Sequence, residues 1–197
     1  MRGKWRGLDA VFKVRKRLRY RLPVLDEIVR RQRTMREAGM LRSARLAKVA
    51  APHLYNVGLS NSTLIMEYVP GSRLKDVAST TDPDAMALFE KLGTSVGRLH
   101  SAGVVHGDIT TANVIVRDRE TILLDFGLAA HSFKVEDHAV DVRLIKETLK
   151  GAHPSVADRA LESLLRGYSA EVGGQRMKAI LSQLRNIERR GRYAKVV

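Results

Sequence analysis

The sequence predicts an α+β fold in two unequal blocks, a small sheet-plus-helix block followed by a mainly helical one. Three observations carry this. β-rich segments and one long helical stretch crowd the first 69 residues, the tripeptide "PGS" at 70 to 72 interrupts them, and helical periodicity dominates from residue 82 onward. With 197 residues, 44% of them hydrophobic, the chain can bury a real core, as one large domain or two small lobes.

The elements follow in order. "LDAVFKV" (8 to 14) alternates loosely and is rich in β-formers, so a strand is expected there. A helix should run from about Asp26 to Ala47, opened by Pro23 and Asp26. Strand signals return at "LYNVGL" (54 to 59) and "TLIMEYV" (63 to 69), with "SNS" turning the chain between them. From 82 to 103, "DPDAMALFEKLGTSVGRLHSAG" places Leu88, Leu92, Val96 and Leu99 on one helical stripe and stops at Gly103. Two short apolar segments, "NVIV" (113 to 116) and "TILLDF" (121 to 126), are joined by the turn "RDRE". Helices are expected again at "VADRALESLLRG" (156 to 167) and "RMKAILSQLRNIERR" (176 to 190). The hinge should lie near residues 66 to 71, dividing 1–66 from 67–197.

Composition narrows the function. The chain has no cysteine, which excludes disulfides, thiolate catalysis and cysteine-ligated zinc and suits a reducing compartment. "MRGKWRGLDA" lacks the apolar region of a signal peptide, and no apolar run reaches the roughly 18 residues of a membrane span. A soluble, cytoplasmic protein with no membrane partner is expected. The net charge of +14 is concentrated at the ends: residues 1 to 45 hold 15 basic and 4 acidic residues, and 182 to 197 hold 5 and 1. Clusters such as "KVRKRLRYR" (13 to 21) and "RRQRTMR" (30 to 36) could attract a polyanion, with RNA the obvious candidate, or could form a solvated helix face.

"HGDITTAN" (106 to 113) sets Asp108 and Asn113 five positions apart, and "LLDFG" places Asp125 seventeen positions after Asp108. Three polar groups thus stand at the ends of short apolar elements. Such a set suits phosphoryl transfer, which needs an acid to orient or deprotonate the nucleophile and oxygen ligands to hold Mg2+ on the phosphates. Asp108 fits the first task; Asn113 and Asp125 fit the second.

With these motifs the sequence resembles the protein-kinase superfamily, and a minimal two-lobed protein-kinase-like fold is implied. The resemblance also implies ATP binding. Lys13 in "AVFK" is similar to the strand lysine that holds phosphates, and Glu37 stands on the next helix where that lysine finds its partner. "IMEYVPG" looks like the hinge, where the Glu67 carbonyl and the Val69 amide would face adenine. "VDVRLI" (140 to 145) looks like the following helix, with Asp141 bracing the catalytic loop, and His106 is expected to brace that loop by packing and hydrogen bonding. His131, His138 and His153 lack metal-ligand spacing and receive no role.

The resemblance narrows through "KVRKRLRYRLPVLD", "RTMREA", "MEYVPG", "HGDITTANVI", "LLDFGLA", "EDHAVD" and the terminal "RRGR", which span nearly the whole chain. Together they are similar to the small kinase subunit of the KEOPS complex, the PRPK family. That likeness implies an atypical serine/threonine kinase and ATPase supporting threonylcarbamoyladenosine modification of tRNA. It implies as partners a threonylcarbamoyltransferase subunit, a small accessory subunit at the N-lobe, and tRNA, with Arg189, Arg190 and Arg192 as candidate contacts.

Departures from ordinary protein kinases shape the expected activity. Gly107 replaces the arginine that pairs with an activation-loop phosphate, and Thr110 stands where a lysine for the γ-phosphate is usual. Only 13 residues separate Gly127 from Asp141, too few for a peptide-docking platform, so water or the protein's own serines are the expected acceptors. "MRGKWRGLDAVFK" is similar to the family's second strand, and the first strand and glycine-rich phosphate loop are expected to be missing. Leu18 replaces a lysine usual in the basic motif. An aminoglycoside-type phosphotransferase and a non-catalytic RNA-binding scaffold stand as alternatives.

Overall fold

The computed structural model describes residues 1–77 and 82–193, with side chains through Arg190. Its first part is a four-stranded antiparallel sheet of order β1-β2-β4-β3, built from β1 (Arg2–Trp5), β2 (Leu8–Val14), β3 (Leu54–Gly58) and β4 (Thr63–Glu67). The strand at 8–14 falls where the alternation predicts it. The stretch 1–13, which the family resemblance placed on a strand, is two strands: Arg6 and Gly7, at φ 48° and 83°, make a tight turn that folds Arg2–Trp5 back on β2. Two basic residues and a glycine in four positions hide that strand from any periodicity test. β2 and β4 are the two inner strands, and residues 63–66 of β4 are all buried.

Helix α1 (Pro23–Leu46) packs against this sheet. Proline in its first turn, Asp26 near its start and Arg45 in its last turn suit the helix dipole. Its buried face is unusually polar, carrying Asp26, Thr34 and Glu37 before Met40, Leu41 and Ala44. Asp26 is neutralised at once: its carboxylate accepts from Arg30 Nε at 2.6 Å and from the Leu18 amide at 3.3 Å.

The second part is mainly helical, with short β-pairs at its upper edge. β5 (Ser72–Arg73) leads into a single turn, α2 (Leu74–Val77), and α3 runs Pro83–Ser101 with the Asp82 side chain accepting from the Asp84 amide. The stripe on α3 is shifted from expectation: Phe89, Leu92, Val96 and Leu99 are fully buried and Leu88 only partly. β6 (Val104–Val105) pairs with β9 (Ala130–His131), and β7 (Val114–Arg117) forms a hairpin with β8 (Glu120–Leu123) through positive-φ residues Asp118 and Arg119. Helices α4 (Val135–Ala152), α5 (Ala157–Val172) and α6 (Gly174–Tyr193) complete the chain.

Close backbone approach explains three glycines. A Cβ on Gly93 of α3 would lie 1.9 Å from the Leu164 carbonyl oxygen of α5, and one on Gly167 of α5 would lie 2.0 Å from that of Glu90. Gly97 likewise faces Glu171. The two helices therefore meet nearly backbone to backbone. The main core runs continuously from Met40, Leu41 and Ala44 of α1 through Phe126 and Ile109 to Leu164 and Tyr168 of α5. The sheet-and-helix part and the helical part are thus joined by packed side chains that include Ile109 and Phe126, next to Asp108 and Asp125.

Candidate functional site

A cavity of about 490 Å³, a size usual for small-molecule sites, opens between the sheet and the β7–β8 hairpin. Apolar Val11, Met66, Val69, Ile115 and Leu124 line much of it, with Lys13, Glu37 and Asp125 supplying charge. Of the residues singled out by sequence, Lys13, Glu37, Glu67, Val69 and Asp125 all border this one space. Glu67 is tied in place by its own carboxylate, which accepts from the His53 amide at 3.1 Å and from Arg117 at 3.4 Å.

Lys13 is the centre of the charged wall. Its ammonium lies 2.7 Å from Glu37 Oε1 and 2.7 Å from Asp125 Oδ1. Glu37 is 1% exposed, and its second oxygen accepts from Arg15 Nη2 at 2.5 Å. A buried carboxylate thus has one cation on each oxygen, the pairing that a charge taken out of water requires. Asp125 stands at φ 54°, ψ 77°, a left-handed backbone that a non-glycine residue adopts only when its surroundings hold it there. Partial burial pushes its carboxyl pKa up, but the Lys13 ammonium and the Gly127 amide outweigh this and hold it below the usual aspartate range.

The loop carrying Asp108 and Asn113 is fixed from three directions. Asn113 Nδ2 donates to the Asp108 carbonyl at 3.0 Å and to Asp108 Oδ2 at 2.9 Å, and the Asn113 carbonyl accepts from the Leu124 amide at 2.8 Å, next to Asp125. His106 Nε2 meets the Leu124 carbonyl at 3.0 Å, while its Nδ1 accepts from the Asp108 amide at 3.3 Å, so Nε2 carries the proton. Its ring packs on Phe126, 4.8 Å between centroids, and burial lowers its pKa despite nearby carboxylates. The bracing expected of His106 is therefore a pair of hydrogen bonds and one ring contact.

Asp141 supplies the third hold. It accepts from the His106 amide at 2.7 Å and the Gly107 amide at 2.8 Å, and lies 3.1 Å from His100 Nε2. Burial would raise its pKa; His100 and the two amides overcome this and lower it. Gly107 has φ 77°, and a Cβ there would lie 2.9 Å from the Leu128 carbonyl oxygen. The residue that differs from ordinary kinases is thus one whose backbone accepts a side chain poorly.

Sequence reasoning missed three residues of this framework. His100 joins Asp141 to the Tyr168 hydroxyl, which lies 2.7 Å from His100 Nδ1, and stacks on His138 at 4.1 Å. Nothing in the spacing pairs positions 68 residues apart. Arg15 carried a usable signal, standing two positions after Lys13 and so on the same side of an extended chain. The terminal basic residues lie elsewhere. Arg189 and Arg190 are on α6, which packs on α4, and Arg190 reaches Glu136 at 4.0 Å; the Arg192 side chain is outside the described residues.

Among the described residues no cluster of three histidine or acidic side chains could hold a metal unaided, and no helix is long and apolar enough to cross a membrane. Asn113 and Asp125 still suit Mg2+, which commonly takes one or two protein ligands together with phosphate oxygens and waters. With Nδ2 committed to Asp108, Asn113 keeps Oδ1 as an acceptor, and Asp125 is held ionised.

Residues 15–163 match the protein kinase domain family. The KEOPS complex subunit Bud32 of Pyrococcus abyssi is 36% identical over 187 residues, 94% of this chain and 85% of that protein. A probable bifunctional tRNA threonylcarbamoyladenosine biosynthesis protein of Methanothermobacter thermautotrophicus is 35% identical over 192 residues; the chain spans 34% of its length. Among solved structures, the Rio2 kinase of Chaetomium thermophilum superposes with a TM-score of 0.61 at 18% identity, covering 93% of this chain and 67% of that one, a likeness of fold.

Proposed function

The chain belongs to the protein kinase domain family, alongside the Bud32 subunits of KEOPS, and we propose that it is an ATP-dependent phosphotransferase and ATPase serving threonylcarbamoyladenosine modification of tRNA. The observation that carries the chemistry is Lys13 within 2.7 Å of both Glu37 and Asp125 at the cavity wall.

In this reading ATP enters the cavity with adenine between Val11 and the Glu67–Val69 segment and its phosphates toward Lys13. Glu37 holds the lysine, and Asn113 and Asp125 would hold Mg2+. Magnesium supplies charge neutralisation on the transferring phosphoryl group. Asp108, fixed through Asn113 and the Asp141-braced loop, orients water or a hydroxyl and accepts its proton. The short segment between Gly127 and α4 offers little room for a peptide platform, which favours water or the chain's own serines over a peptide acceptor.

The division into an N-lobe at 1–66 and a C-lobe at 67–197, serine/threonine specificity, a cytoplasmic setting and the partners belong to the same proposal. The partners are a threonylcarbamoyltransferase, a small accessory subunit at the N-lobe, and tRNA near Arg189, Arg190 and Arg192. Their support is the naming of the Bud32 relatives and the basic ends of the chain.

The test is Mg2+-dependent phosphate release from ATP by the purified chain, alone and with a threonylcarbamoyltransferase and tRNA. Asp108→Ala and Asp125→Ala should each lower turnover at least 100-fold while shifting the thermal midpoint little. Unchanged turnover in either variant removes that residue from its role; no turnover in any mixture defeats the enzymatic reading.

A further inference from the structure

We infer that Arg15 is a positioning residue for nucleotide binding: it holds Glu37, and through Glu37 it sets where the Lys13 ammonium stands. This rests on the phosphoryl-transfer reading above.

Glu37 is almost wholly removed from water, so its charge needs a cation on it throughout any reaction cycle. Lys13 is an unsteady partner. Its ammonium is already shared between Glu37 and Asp125, and in phosphoryl transfer it must also serve phosphate oxygens. A carboxylate with only that one cation would compete with ATP for it. Arg15 removes the competition, because its guanidinium takes the opposite oxygen, Oε2, at 2.5 Å.

The grip is on the helix as well as on the side chain. Arg15 Nη2 also lies 3.4 Å from the Arg33 carbonyl, one turn before Glu37 on α1. The Arg15 amide donates to the Ser62 carbonyl at 3.1 Å, so the base of this side chain is fastened beside the sheet. Arg15 is 20% exposed, and its head is directed to two acceptors on α1, the Glu37 carboxylate and the Arg33 carbonyl. The sheet and α1 are therefore held in register at the lysine by a contact that nucleotide does not need to break.

The experiment is a double-mutant cycle. Arg15→Ala and Arg15→Lys are prepared in the parent chain and in Glu37→Gln, with affinity for a fluorescent ATP analogue, KM and kcat for Mg-ATP, and thermal midpoint read for each. Arg15→Ala should raise KM and the analogue's Kd roughly tenfold with a smaller change in kcat, and Arg15→Lys should recover most of the loss. In the Glu37→Gln background, Arg15→Ala should add nothing to either constant. An unchanged Kd in the parent, or an equal loss in both backgrounds, overturns the inference, since a merely structural arginine acts without regard to residue 37. Failure of the unaltered chain to bind nucleotide would instead refute the phosphoryl-transfer reading beneath it.

Discussion

Replacing Asp141 by alanine should be one of the costliest single changes in this protein, and its size can be worked from three contacts. The carboxylate is 1% exposed and receives the His106 and Gly107 amides at 2.7 and 2.8 Å, with His100 at 3.1 Å. Alanine leaves the buried His106 N–H and the partly buried Gly107 N–H with no acceptor, at about 1–3 kcal/mol each, while His100 keeps Tyr168. A loss of about 4 kcal/mol follows, against a total stability of roughly 5–15 kcal/mol for a typical domain. For a chain of this length the thermal midpoint should fall by about 12 °C. Asp141→Asn should cost about half as much, because its amide oxygen can still accept one N–H while its NH2 is turned toward the other. Urea unfolding gives the stability difference, and hydrogen exchange of the His106 and Gly107 amides shows whether the damage is local. Asp108 follows directly on Gly107, so ATP turnover should fall with it. An Asp141→Ala chain within about 1 kcal/mol of the parent, or with those two amides as slow to exchange as before, would refute the claim that this carboxylate holds the loop.

Two further outcomes test other parts of the fold. Gly93→Ala and Gly167→Ala should each destabilise the chain by about 2–4 kcal/mol, because the α3–α5 crossing must open to admit a methyl group. Gly151→Ala on α4, where a Cβ meets nothing within 4 Å, should be neutral or stabilising by up to about 1 kcal/mol in the same thermal scans. Burial lowers the pKa values of His106, His138 and His153, that of His138 to about 4. Below about pH 6.5 the unfolded chain then binds more protons than the folded one, so stability should fall with pH by about 1.4 kcal/mol per unit for each such histidine. For His138 the loss runs from about 6.5 down to about 4. Unfolding in urea between pH 7 and 5 measures the slope, His138→Gln should make it shallower by about one proton, and a flat profile would show that these rings take up protons as readily folded as unfolded.

Much of the fold was legible because most elements declare themselves locally. β2, β3, β4, α1 and α3 lie within a few residues of their predicted places, since alternation, helical spacing, Pro23 and the Asp82 cap act over one or two turns. β1 was legible only through the resemblance of residues 1–13 to a family strand, because its own signal is the Arg6–Gly7 turn and not its composition. The two-residue strands β5, β6 and β9 are too short to have a period at all; they exist because the chain passes a partner already in place. On α1 the sequence named Asp26 as the helix opener and Glu37 as the lysine's partner but not their burial, which is answered by Arg30 on Asp26 and by Arg15 beside Lys13 on Glu37.

The sequence by itself determined which chemical groups are available and in what order: a strand lysine, a helix glutamate, Asp108 and Asn113 five apart, and Asp125 before a glycine. Those spacings are short enough for backbone geometry to carry them, so they could be read without a structure. Only the tertiary structure decided how they are held. Lys13 meets Asp125 across 112 positions, and Asp141 reaches back 35 positions to the His106 amide. His100 finds Tyr168 because α3 and α5 cross at glycines. Contacts of that span follow from how helices and sheet pack into one core, and no local pattern in the chain encodes which of its 35 basic residues will lie on a given buried carboxylate.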